Sequence, residues 1–123
     1  MAHRVLIVDD EPNIVTSLEF ILQRNGFETA VARDGDEALA EVDRFRPDLV
    51  LLDAMMPRRD GYEVCQVLRS TGHEELKIVM LTAKGREAEI AKGLAVGADS
   101  YVTKPFSTRE LVEHVRQLLS GDA

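Results

Sequence analysis

No tryptophan occurs in the 123 residues of this chain, and its single cysteine, Cys65, cannot form an internal disulfide. A chain of this length buries about two-thirds of its unfolded surface and needs no staples. Long apolar runs are missing too: none approaches the ~20 residues of a membrane span. The opening MAHRVLIVDD lacks the apolar stretch and small-residue cleavage site of a secretory leader. The expectation is a soluble, cytoplasmic protein with no membrane partner. Positive charge is in deficit, 15 Lys and Arg against 22 Asp and Glu for a net charge of -7. A nonspecific nucleic-acid surface needs clustered positive charge, so none is expected of this chain alone. Glycine is absent from DDEPN, the segment after the first apolar run. That excludes a glycine-rich loop cradling the phosphates of a nucleotide or flavin.

What is present is one repeated rhythm. RVLIV is a short apolar run, after which Ile14, Leu18, Ile21 and Leu22 recur at helical spacing until Gly26. FETAVA alternates weakly as a strand, and DGDEALAEVDRF sets Ala38, Val42 and Phe45 on one helical face before Pro47. DLVLLD with YEVCQVLRS, KIVMLT with EAEIAKGLAV, and SYVT with STRELVEHVRQLL complete five strand–helix pairs. Cys65 lies on an apolar helical face beside Val64 and Leu68, as a core residue does. The last helix opens with a capping box from Ser107 to Glu110 and turns Leu111, Val115 and Leu118 or Leu119 inward. Parallel neighbours require helical crossovers, so the pattern predicts an α/β fold with a parallel sheet covered on both faces. VLIV, LVLL and IVML are wholly apolar, as befits central strands, whereas TAVA and YVT suit edges. The doubly wound order 2-1-3-4-5 fits these assignments, and it makes the first and third strands neighbours at the point where strand order reverses.

Ligands bind at that point, beyond the carboxyl ends of the strands. There the chain supplies Asp9 and Asp10 after the first strand and Asp53 after the third. Taken singly, Asp9 and Asp10 read as caps for the helix starting near Pro12, and Asp53 as a turn residue. Adjacent strands lie about 4.8 Å apart, so the three carboxylates converge, and such a cluster calls for protonation or a cation. Hard oxygen ligands in small number suit Mg2+. Thr82 and Lys104, alone a strand-end residue and a solvated charge, end the fourth and fifth strands on the same rim. An acid nucleophile, a metal, a hydroxyl and a lysine are the parts needed to make and hold an aspartyl phosphate.

VLIVDDEPN, DLVLLDAMMPRRDGYEV, IVMLTAKG and GADSYVTKPFSTREL resemble the response-regulator receiver domain (CheY-like) of bacterial two-component signalling, across essentially the whole chain. The resemblance implies a five-stranded parallel sheet with five helices on both faces. Asp53 would accept a phosphoryl group from a sensor histidine kinase or a histidine phosphotransfer protein. Asp10, Asp53 and the backbone carbonyl of Met55 would bind Mg2+ directly, and Asp9 would act through water. Thr82, Ala83 and Lys104 would hold the phosphoryl group. Thr82 and Tyr101 would form the switch, and the bond before Pro105 would be cis.

A haloacid dehalogenase-type phosphatase also uses a strand-end Asp, Mg2+ and a lysine, but its second acid falls where this chain has Met55. Only SGDA follows the last helix, so the expectation is one receiver domain over residues 1–123. Its output would then be a separate effector or a domain of a longer protein. GADSYVTKPF also resembles the OmpR/PhoB subgroup, whose active dimer uses ion pairs. Ser100 stands where that subgroup has an acid, and Ile90 and His114 where it has basic residues, so dimerisation on phosphorylation is left open.

Overall fold

In the computed structural model, residues 3–56, 59–83 and 87–120 are described. Five strands and five helices alternate: β1 (Arg4–Val8), α1 (Pro12–Arg24), β2 (Glu28–Ala32), α2 (Gly35–Phe45), β3 (Leu49–Asp53), α3 (Gly61–Ser70), β4 (Lys77–Ala83), α4 (Glu87–Ala95), β5 (Ser100–Lys104) and α5 (Thr108–Leu119). The sheet is wholly parallel in the order β2-β1-β3-β4-β5, as the sequence pattern predicted.

Successive strand residues point to opposite faces, so each central strand serves two cores. Leu6, Val8, Val50, Leu52, Ile78 and Met80 pack with Ala38, Val42, Val64, Cys65 and Leu68 on one face. Val5, Ile7, Leu49, Leu51, Val79 and Leu81 pack with Val15, Leu18, Leu22, Leu111, Val112 and Val115 on the other. This double burial explains why these strands read as unbroken apolar runs. Thr29 to Val31 of β2 are all half-buried instead of alternating, as an edge strand flanked on one side only permits.

Asp34, Asp60 and Ser107 accept hydrogen bonds from the amides three residues on and so start α2, α3 and α5. At α1 neither Asp9 nor Asp10 is the cap. The cap position is Glu11, whose side chain makes no capping bond, and Pro12 opens the helix. Gly26, at φ 90°, lets the chain leave α1 in a conformation most residues avoid. On α5, Val112 is buried while Leu118 and Leu119 are half-buried. Leu118 and Leu119 still pack against the same core as Leu111 and Val115, as the spacing predicted, and Val112 joins them. Among its described residues α4 buries only Gly93.

Candidate functional site: an acidic crevice at the switch point

β1 and β3 are hydrogen-bonded neighbours whose chains leave in opposite directions around the sheet, to β2 and to β4. Their ends bring Asp9, Asp10 and Asp53 together, with one carboxylate oxygen from each within 4.8 Å of the other two. Asp9 is fully buried and Asp53 nearly so, while Asp10 is exposed. The Glu11 amide donates to Asp9 Oδ1 at 2.9 Å and the Met55 amide to Asp53 Oδ1 at 3.2 Å. Both acids thereby fold back onto the loops that follow them, and Asp9 orients the start of α1 without capping it. The turn after β3 is equally constrained. A Cβ at Gly61 would lie 2.3 Å from the Asp53 carbonyl oxygen, so only glycine lets α3 start this close to the acid.

Lys104, at the end of β5, crosses the rim to these acids. Its ammonium lies 2.9 Å from Asp9 Oδ2, 3.4 Å from Glu11 Oε1 and 3.6 Å from Asp53 Oδ1. Burial alone would lower its pKa, but Asp9, Asp53 and Glu11 outweigh that and hold it above its ordinary value. Asp53 is pushed up to about 6, first by burial and then by repulsion from Asp9, with Lys104 and the Met55 amide pulling the other way. One ammonium therefore does not neutralise the crevice.

The donor set fits a small hard cation. All three side chains offer carboxylate oxygen, and buried Asp9 Oδ2 is met by the Lys104 ammonium at 2.9 Å, a positive charge where a cation would sit. Thr82, one residue beyond the Leu81 that pairs with Asp53, is buried with a hydroxyl that has no hydrogen-bond partner among the described residues. Ala83 is paired with Lys104 at the strand ends. Tyr101, near the start of β5, is 41% exposed, and the Lys104–Pro105 bond is cis. Met55 presents its side chain to solvent. Ser100 Oγ and His114 Nε2 are 2.6 Å apart, so these two residues partner each other within the chain. Glu11 is the one site residue that sequence reasoning missed; the available signal was a third consecutive acid after Asp9 and Asp10.

Fold and crevice together define a doubly wound α/β protein with an acidic, lysine-bridged site at its switch point. Comparisons with known proteins give the family. The response regulator receiver domain model matches residues 5–116. The DNA-binding response regulator MtrA of Mycolicibacterium smegmatis is 49% identical over 119 residues, 97% of this chain and 51% of that protein. The chain thus spans about half the length of this relative. Among solved structures, a putative response regulator from Chloroflexus aurantiacus superposes with a TM-score of 0.94 at 36% identity, covering 98% of this chain and 99% of that one. The chemotaxis response regulator CheY4 of Vibrio cholerae has a TM-score of 0.89 at 32% identity, covering 96% and 99%. The chain belongs to the response regulator receiver domain family, the regulatory domains of two-component signalling. Among the described residues no helix is long and apolar enough to cross a membrane.

Proposed function

We propose that residues 1–123 form one phosphorylation-controlled switch in which Asp53 takes a phosphoryl group from the phosphohistidine of a sensor histidine kinase or a histidine phosphotransfer protein. An Asp53 carboxylate oxygen attacks phosphorus, the phosphorus–nitrogen bond breaks, and the imidazole nitrogen keeps the bonding pair. The observation that carries this reading is the convergence of buried Asp53 with Asp9 and Asp10 inside 4.8 Å, under the Lys104 ammonium. A pKa of about 6 leaves Asp53 mostly ionised at neutral pH and hence nucleophilic. Asp9, Asp10, Asp53 and the Met55 carbonyl would hold Mg2+, which when bound neutralises charge on the group in transfer.

Lys104 is already within reach of Asp53 to pair with the phosphoryl oxygens, with Thr82 and Ala83 beside it on the rim. The unpartnered Thr82 hydroxyl gains a hydrogen bond by moving to the phosphoryl group. That movement opens room for the exposed Tyr101 ring to turn inward, and α4, β5 and α5 change the face they offer. Phosphorylation biases two pre-existing arrangements. A cytoplasmic kinase partner and an effector or output domain follow from this reading, and a DNA-binding output is favoured by the likeness to MtrA. A phosphatase of the haloacid dehalogenase type is not supported, because an exposed methionine, Met55, stands in place of its general acid.

Incubation with acetyl phosphate and Mg2+ followed by intact-mass measurement tests the assignment. The wild type gains one phosphoryl group and Asp53→Asn gains none. Full labelling of Asp53→Asn would overturn it.

A further inference from the structure

Glu11 occupies the N-cap of α1, where Ser, Thr, Asp or Asn ordinarily bonds the first free amides. Its side chain leaves those amides and reaches across the rim, 3.4 Å from Lys104 Nζ. The geometry is asymmetric. Lys104 is mostly buried and faces Asp9 and Asp53 inward, whereas Glu11 is largely exposed and meets the ammonium from outside. Inward pairing sets Lys104 in competition with any cation for the same carboxylates. Outward pairing draws it off them.

We infer that Glu11 is a positioning residue for Lys104: its outward pull at 3.4 Å opposes the contacts with Asp9 at 2.9 Å and Asp53 at 3.6 Å, so that a divalent cation displaces the ammonium from those two acids more readily while the lysine stays poised for the phosphoryl group. This rests on the metal-dependent switch proposed above. It accounts for a poor capping residue at the start of α1, because its carboxylate has work at the crevice.

Two effects of Glu11 on Mg2+ have the same sign and must be separated. As a nearby negative charge it favours the cation directly, and through Lys104 it favours the cation by removing a competitor. A double-mutant cycle distinguishes them. Mg2+ is titrated by NMR, following the amides after β1 and β3, into wild type, Glu11→Gln, Lys104→Met and the double variant. Exposed pairs act weakly, so Glu11→Gln is expected to weaken Mg2+ binding about threefold in the wild type but by less than about 1.5-fold in the Lys104→Met background. Equal changes in both backgrounds, or no change in the wild type, would overturn the inference by showing that Glu11 does not act through Lys104. If the wild type itself gives no Mg2+ response at these amides, the metal reading fails and the inference falls with it. A normal response in wild type with an additive cycle removes the inference alone.

Discussion

The crevice between β1 and β3 and the side of the sheet formed by β4, α4 and β5 are built differently. Every residue of β3 is buried, as are Val5 to Asp9, and the acids sit at the ends of strands hydrogen-bonded on both sides. Across the sheet, α4 buries only Gly93, and no residue of the edge strand β5 is fully buried. Gly93 comes close enough to β4 that an added Cβ would lie 3.0 Å from Met80 Cγ, so α4 rests on the sheet through a small contact. Leu94 and Tyr101 on this side face solvent. The clustered charges thus sit on the most deeply buried, doubly paired strands, and the side with α4 and β5 has the least apolar area to lose in a rearrangement.

The sharpest contrast is energetic. Leu52→Ala, in the core one residue before Asp53, should cost about 3 kcal/mol in urea unfolding, whereas Leu94→Ala on α4 should cost under about 0.5 kcal/mol. Comparable losses would erase the distinction between the two regions.

The next effect comes from charge. Asp53 has its pKa raised to about 6 in the folded, metal-free protein, from an ordinary 3.8. The native state therefore holds more protons than the unfolded chain between these values, and this group's contribution to stability falls as pH rises through that window. Wild type should lose on the order of 2 kcal/mol relative to Asp53→Asn between pH 4 and about pH 7. The readout is the difference between their unfolding free energies; parallel pH profiles would contradict it. Asp10→Ala should weaken Mg2+ binding by at least about tenfold by NMR titration, given that even outer-shell partners of a metal matter this much. The smallest effect concerns lifetime. Met55 is exposed and offers no strong hydrogen bond to orient a water, so the phosphoryl group should be long-lived, and Met55→Asn should speed its loss about threefold on phosphate-affinity gels. Unchanged decay would remove Met55 from control of lifetime. By the resemblance to receivers, Lys84, two residues after Thr82, would flank the same water's approach to phosphorus; it lies outside the described residues.

Much of this division was legible in the sequence. Strands buried on both faces must be apolar throughout, so VLIV, LVLL and IVML declared themselves, and an acid closing such a run marks a strand end at the switch point. Contacts between residues remote in sequence were not legible. Arg69 donates to the carbonyls of His73, Leu76 and Gly97 and pairs with Asp99 at 2.8 Å, tying α3 to the turn before β5. In the sequence it is one more charged residue at the end of a helix. Glu11 was hidden in the same way, since its partner Lys104 is 93 positions away. The inward turn of Val112 depends on how α5 lies against β1, β3 and β4, which periodicity alone does not fix.

The central claim is that phosphorylation at the rigid crevice is expressed on the loosely held side. Hydrogen–deuterium exchange of the wild type, measured with and without acetyl phosphate and Mg2+, addresses it directly. The account predicts altered exchange in α4 and around Tyr101, with little change in the core amides of β1 and β3. Exchange that changed only beside Asp53, and left α4 and β5 as they were, would contradict it.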